Sequence, residues 1–243
     1  MKSPEQLQRE YYEATAVAYD AMHVHESDEH QRAIDFLVAW LPSLGVRSAL
    51  DVGAGTGRTL RHFGRKLPGA SLVGVEPVHA MLTQGQRRYP DMPRQVVCGS
   101  GLSLPFANQA FDCVTEFGVL HHVADPAAVV AEMTRVARRV VALSDENRYG
   151  MRGFPGNLLQ LAIFKAGAWR PFYRVWTKGK GYQICEEDGL RYSFSVYDCY
   201  DQLSAWADDI FVIPTGTRAG SGWMHPLLTS SHALLCAYRR PAA

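Results

Sequence analysis

"ALDVGAGTG", residues 49–57, sets three glycines at alternate positions behind a short apolar run that ends in an acid. A glycine loop that leaves a strand and enters a helix opens main-chain N–H groups to a ligand that a Cβ would shield. The helix N-terminus adds partial positive charge. Any adenosine-type cofactor suits such a loop, but two details narrow the choice. Asp51 stands two residues before Gly53, where a nicotinamide-binding loop keeps an apolar residue, and the third glycine of G-x-G-x-x-G is missing. A carboxylate there suits a ligand carrying an ammonium group. Downstream, LVGVE (72–76) is a second strand ending in an acid, Glu76, placed to accept hydrogen bonds from ribose hydroxyls.

Around the loop the chain alternates strand-like and helix-like runs, the pattern of parallel strands joined by crossover helices. Strands are predicted at 47–52, 71–76, 95–98, 111–117 and 140–144, and helices at 57–66 and at 77–89, the latter opened by Pro77. Asp125-Pro126 reads as an N-cap with proline at N1, followed by Val129, Met133 and Val136 on one helix face; Arg138 and Arg139 suit that helix's C-terminal dipole. Two last strands, 210–214 and 232–239, have no helix between them and are predicted to pair antiparallel. The expected fold is α/β, a Rossmann-like doubly wound sheet of seven strands, mostly parallel with an antiparallel final strand, plus a lid insertion. The single domain 1–243 divides into an N-terminal helical cap (1–45), a cofactor-binding core (46–146), a substrate lid insertion (147–204) and the final strand pair (205–243). The insertion is rich in Gly, Trp and Tyr and shows no sustained strand period.

With 243 residues and 47% hydrophobic content, the chain fits one large domain with a buried core. A net charge of +1 from 25 basic and 24 acidic residues leaves no electrostatic footprint for nucleic acid. No run approaches the roughly 20 apolar residues that cross a bilayer, and MKSPEQLQREYYEA lacks an apolar signal core, which points to a cytoplasmic protein. The five cysteines are scattered and free of C-x-x-C spacing, so neither a disulfide framework nor a metal site is expected; Cys98, Cys113 and Cys236 read as core. His23, His25 and His30 read as an exposed helix connection.

These residues resemble the class I S-adenosylmethionine-dependent methyltransferases. DVGAGTG is similar to that family's first motif, VGVEP to its second-strand acid motif, and GSGLSLPFANQAFDCVTEFGVLHHV to the stretch from the adenine loop through the fourth strand. QREYYEATAVAYD resembles its N-terminal helix. The resemblance implies that Gly53 and Gly55 pass against the methionine moiety of S-adenosylmethionine, with Asp51 at its amino group and Tyr12 and Tyr19 over its carboxylate. It further implies Glu76 and Pro77 at the ribose, Met81 along the adenosine, Ser100, Gly101 and Leu102 around the adenine, and Glu116 and Phe117 near the sulfonium. Ser100 stands where many relatives place an Asp, which exchanges a charged contact to the adenine amino group for a neutral one.

The expected activity is in-line methyl transfer to a small-molecule acceptor, on oxygen or nitrogen in preference to carbon, by a monomer or homodimer. Such a displacement needs alignment above all, and a base only where the acceptor is a neutral alcohol or a protonated amine. Asp145, His121 and His225 are the candidate bases. Asn147 and Arg148, just beyond the fifth strand, and the lid aromatic Tyr182 are the candidate acceptor contacts. The competing readings are a noncatalytic S-adenosylmethionine-binding protein and a nicotinamide-dependent oxidoreductase.

Overall fold

Alternation of side chains builds the layers. In β1 (Ser48–Val52), Leu50 and Val52 join one apolar cluster and Ala49 the other. In β5 (Ala137–Glu146), Val141 and Leu143 are divided in the same way from Val140 and Ala142, and in β9 (His232–Tyr238) Leu235 from Leu234 and Cys236. Burial on both faces with period two marks a sheet covered on both sides. The structure, a computed structural model, describes residues 2–25, 27–91, 95–216 and 225–241, the Phe154 side chain excepted.

The other strands of this sheet are β2 (Ser71–Glu76), β3 (Val96–Cys98), β4 (Phe111–Phe117) and β8 (Asp209–Pro214). The seven run in the order β3-β2-β1-β4-β5-β9-β8. Pairing is parallel from β3 to β5, and β9 is antiparallel to both its neighbours, so the sheet is Rossmann-like with one reversed strand. One face is covered by α3 (Glu29–Trp40) and α4 (Arg58–Lys66) through Ile34, Leu37, Leu60 and Phe63. The other is covered by α6 (Pro126–Val136) and α9 (Tyr200–Trp206) through Val129, Met133 and Leu203. The direction of winding changes between β1 and β4, which opens a crevice at their C-terminal ends.

Local signals explain most boundaries. The Asp125 carboxylate accepts from Ala128 N at 3.2 Å and starts α6 with Pro126 at its first turn. That helix passes directly into β5, so Arg138 and Arg139 lie on a strand instead of complementing a helix end. Arg138 pairs with Asp112, and Arg139 donates to the Leu44 carbonyl. α5 (His79–Arg88) starts two residues beyond Pro77, because the Glu76 carboxylate takes the Val78 N–H at 2.9 Å and holds the chain extended there. Cys98 is exposed on the edge strand β3, not in the core, whereas Cys113 and Cys236 are buried.

Preceding the sheet are α1 (Pro4–Thr15) and α2 (Tyr19–His23). Residues 147–204 are more regular than their sequence suggested: they form α7 (Phe154–Lys165), α8 (Trp169–Trp176) and a hairpin of β6 (Tyr182–Cys185) with β7 (Gly189–Tyr192) before α9. Strands of four residues are too short to display a period. Among the described residues, no helix is long and apolar enough to cross a membrane.

The glycine loop is held against α5 at Gly85, where an added Cβ would fall 2.3 Å from the Thr56 carbonyl oxygen. Gly→Ala inside a helix normally gains up to about 1 kcal/mol. Here a backbone clash overrides that gain, and Gly85→Ala is expected to destabilise by about 1–3 kcal/mol. Urea unfolding measures the sign; a more stable variant would show that the loop and α5 separate freely.

Candidate functional site

The loop after β1 takes its shape from positive φ at Gly53 (75°), Gly55 (55°) and Gly57 (87°), a region that side chains with a Cβ rarely enter. Gly53 N and Ala54 N donate to Val75 O, tying the loop to the end of β2. Glu76 completes the tie: one carboxylate oxygen accepts from Gly55 N at 3.0 Å and the other from Val78 N at 2.9 Å. Burial nevertheless pushes Glu76 up to about 7, against the pull of those two donors. Asp51 accepts from Thr115 Oγ1 at 2.9 Å and is likewise pushed up to about 7 by burial.

Two cavities meet at this loop. The first is lined by Glu76, Pro77 and Met81, by Ser100, Gly101 and Leu102, and by Gly53, Gly55 and Phe117, together with Tyr12 and Tyr19. The second contains Asp51 and Arg58 and extends past His121, Asp188, Arg191 and His232. Tyr12, Tyr19, Gly53, Gly55, Phe117 and Gly118 belong to both. The tyrosines are anchored from below: Asp20 accepts from Thr56 Oγ1 and from Tyr89 OH, each at 2.6 Å, and Arg58 grips Asp28 at 2.6 and 2.8 Å. None of these anchors carries a sequence signal beyond its charge.

Ser100 lines the first cavity, but its hydroxyl already accepts from Leu102 N at 3.2 Å and shapes its own turn. Glu116 is not brought to either cavity. It is fully buried, turned beneath the loop after β4 to accept from Val119 N at 3.1 Å, and raised far above the usual carboxylate range by burial and by Asp145.

The three candidate bases separate. Asp145 is fully buried and its oxygens are taken by Leu120 N (2.8 Å), Glu146 N (2.6 Å) and His121 Nδ1 (2.7 Å), so it positions His121 and lines neither of the two cavities. His121 faces the second cavity, held between Asp145 and Asp188. Burial alone would lower it, but the two carboxylates outweigh burial and push it up to about 10, which makes it an imidazolium at neutral pH and no ready base. His225 is exposed, outside both cavities, and accepts from Leu227 N at 3.1 Å.

The expected acceptor contacts are also redistributed. Asn147 is fully buried, donating to Leu227 O and Ser230 O, each at 2.8 Å. Arg148 is buried over the Phe164 ring and bonded to Asp198 at 2.7 Å, a staple inside the insertion that also lines the aromatic groove running along Trp169, Phe172 and Trp176. Tyr182 packs edge-on against Tyr192 and lies away from both cavities. In their place stand residues that sequence reading missed. His23 and His30 line the second cavity, leaving only His25 exposed. Arg191 pairs with Glu146 at its outer end. From Glu146, Met151 and Arg191 an aromatic groove continues along Trp169, Phe172 and Trp176.

Asp51 allows a test of this electrostatic picture. A carboxyl whose folded pKa is raised contributes most stability below its unfolded pKa and loses it as pH rises through the folded value, here from about 4 to about 7. Relative to the wild type, Asp51→Asn is therefore expected to become more stable by about 1–3 kcal/mol as pH goes from 5 to 8. Urea unfolding at each pH checks this, and a pH-independent gap would mean that Asp51 is ionised throughout.

Residues 50–142 match a family model described as a methyltransferase domain. Over 111 residues the chain is 39% identical to a demethylmenaquinone methyltransferase of Roseiflexus sp. (strain RS-1), covering 46% of each protein. It is 30% identical to a demethylmenaquinone methyltransferase of Renibacterium salmoninarum, over 67% of this chain and 59% of that one. A ubiquinone/menaquinone biosynthesis C-methyltransferase of Desulfotalea psychrophila is 30% identical over 52% of each chain. The chain spans about half the length of the curated relatives it matches. In fold it is similar to the magnesium protoporphyrin IX methyltransferase of Synechocystis PCC 6803 crystallised with S-adenosylhomocysteine, with TM-score 0.64, 18% identity, and 98% and 100% of the two chains covered. With its glycine loop, strand-end acids and sheet order, the matched region 50–142 is a methyltransferase domain of the class I S-adenosylmethionine-dependent type.

Proposed function

We propose that this chain transfers a methyl group from S-adenosylmethionine to a small molecule with a polar, hydroxylated ring and an apolar extension. The observation that carries the reading is the meeting of the two cavities at Gly53, Phe117 and Gly118, where a bound sulfonium would face the second cavity. A noncatalytic binder has no use for such a continuation. Two features support the fit of the cofactor. Gly55 lines both cavities, where a Cβ would come into van der Waals contact with Met81 and Tyr19 at 3.7 and 3.9 Å, and Glu76 is aimed by two N–H donors with lone pairs to spare for ribose hydroxyls. When bound, S-adenosylmethionine supplies the methyl group as an electrophile on a cationic sulfur.

The chain's own part is to bind, orient and exclude water. In this reading Asp51 faces the ammonium group, Met81 and residues 100–102 hold the adenosine, and Tyr12 and Tyr19 close over the methionine end. The N-terminal helices then serve as a cap and residues 147–204 as the acceptor lid. The polar ring sits among the histidines and carboxylates of the second cavity, and the apolar part follows the groove of Trp169, Phe172 and Trp176. The names of the relatives include a carbon methyltransferase and give no support to the expected preference for oxygen or nitrogen. A hydroxylated ring accommodates transfer to oxygen or to the adjacent carbon.

Glu76→Ala is expected to weaken S-adenosylhomocysteine binding by about 1.5–3 kcal/mol, the scale of hydrogen bonds to a charged group. A 2′-deoxyadenosyl analogue should lose less in the variant than in the wild type. Calorimetry with both ligands measures the coupling, and equal losses would remove Glu76 from the ribose.

On the acceptor side, screening ring-hydroxylated metabolites for labelled product identifies the substrate and the atom methylated. Trp176→Ala, altering a largely exposed ring, is then expected to raise the acceptor KM several-fold while the S-adenosylhomocysteine dissociation constant stays within about twofold, under roughly 0.5 kcal/mol. An unchanged KM would place the acceptor elsewhere.

A further inference from the structure

The turn after β4 carries two adjacent histidines, and the hairpin turn between β6 and β7 brings Asp188 against both. His121 Nε2 lies 3.2 Å from one Asp188 oxygen and His122 Nε2 lies 3.4 Å from the other. The Nδ1 atoms of both rings are engaged on the opposite side. His121 Nδ1 meets the Asp145 carboxylate at 2.7 Å, and His122 Nδ1 meets the Leu190 carbonyl at 2.6 Å. A carbonyl oxygen only accepts, so His122 carries its proton on Nδ1 and presents a lone pair from Nε2. That lone pair accepts from the Tyr12 hydroxyl at 2.9 Å and also stands 3.4 Å from an Asp188 oxygen, an approach of two acceptors that a cation would turn into ligation once the hydroxyl swings aside.

We propose that His121 Nε2, His122 Nε2 and Asp188 form a divalent transition-metal site, of the zinc class, at the boundary between the two cavities, the ion taking the place of the His121 Nε2 proton, which is released to solvent on binding. The donor atoms lie within 4.8 Å of one another. Metal bonds of about 2.0–2.1 Å in a tetrahedron put neighbouring ligand atoms about 3.3–3.4 Å apart, close to the two measured separations. Two imidazoles and one carboxylate select zinc-like ions over magnesium or calcium, which take oxygen ligands.

The supporting shell is already built. Asp145 orients His121 as a carboxylate behind a ligating imidazole, and Leu190 O fixes the tautomer of His122. Gln8 of α1 accepts from Leu190 N and donates to Asp188 O at 3.2 Å, clamping the hairpin backbone that carries the third ligand. The Tyr12 hydroxyl, 2.9 Å from His122 Nε2, stands beside the site as a further oxygen donor. His121 and Asp188 both line the second cavity, so a bound ion keeps a side open toward it. The ion would tie the hairpin to the core and offer a Lewis-acid contact to an acceptor oxygen. Only this last role rests on the methyltransfer reading.

The test uses metal alone on the full chain stripped with a chelator. Zn2+ titrated by calorimetry is expected to bind at one equivalent with micromolar or tighter affinity, and Co2+ to develop the visible bands of a four- or five-coordinate nitrogen–oxygen site. Asp188→Asn and His122→Gln should each weaken binding at least tenfold. Asp145→Asn should weaken it ten- to a hundredfold through His121. Thermal unfolding and circular dichroism check that each variant folds. The wild-type titration decides the matter even if a variant does not fold. No stoichiometric binding to the wild type, or binding that survives in folded Asp188→Asn, overturns the site. Methyl transfer persisting in metal-free enzyme would remove the acceptor role and leave the ion as a structural tie.

Discussion

The burial of two carboxylates under a glycine loop constrains everything around it. Asp51 and Glu76 close neighbouring strands, and burial outweighs the donors of each, pushing both up to about 7. Glu76 could not sit there without the N–H groups of Gly55 and Val78, and Gly55 could not present its N–H without a left-handed backbone. The left-handed Gly55 and the delayed start of α5 both accommodate one buried acid. Such a pocket is matched by a ligand that brings hydroxyls to one carboxylate and a cation to the other.

The roof over the pocket is attached differently from its floor. Beneath the loop, the sheet buries continuous apolar layers, whereas over it the N-terminal segment adds Ala16 to a small cluster with Val78 and Met81 of the α5 end. Its remaining attachments are polar and long-range: Asp20 to Thr56 and Tyr89, Asp28 to Arg58, Gln8 to the hairpin. Each is worth about 1.5–3 kcal/mol at most where a charge takes part. A region with few buried apolar contacts opens at lower cost than the sheet, which suits a cap that ligands must pass.

Much of the floor was legible because its signals are local. β4 spans the residues its apolar run indicated, α6 begins at its Asp-Pro cap, and the glycine loop is recognisable from composition alone. Expectations failed where a side chain's partner lies far along the chain. Asn147 is a polar residue after a strand, a pattern shared by substrate contacts and by buried staples; only the positions of Leu227 and Ser230 decide for the latter. Asp145 looked like a base and is spent as a hydrogen-bond acceptor. Asp188 and Arg191 escaped notice because a hairpin in an aromatic-rich insertion gives no hint of which core loop it will meet.

That meeting gives the insertion its bearing on chemistry. His121 and His122 are neighbours in sequence, yet their protonation shifts in opposite directions: against burial, the Asp145 and Asp188 carboxylates push His121 upward, whereas burial and the charge of His121 push His122 downward. One ring faces the second cavity and the other borders the first. Asp188 touches both rings while Gln8 holds its backbone from the N-terminal side. The N-terminal helix, the core and the insertion therefore converge on one residue, which stands where the first cavity's His122 and the second cavity's His121 adjoin.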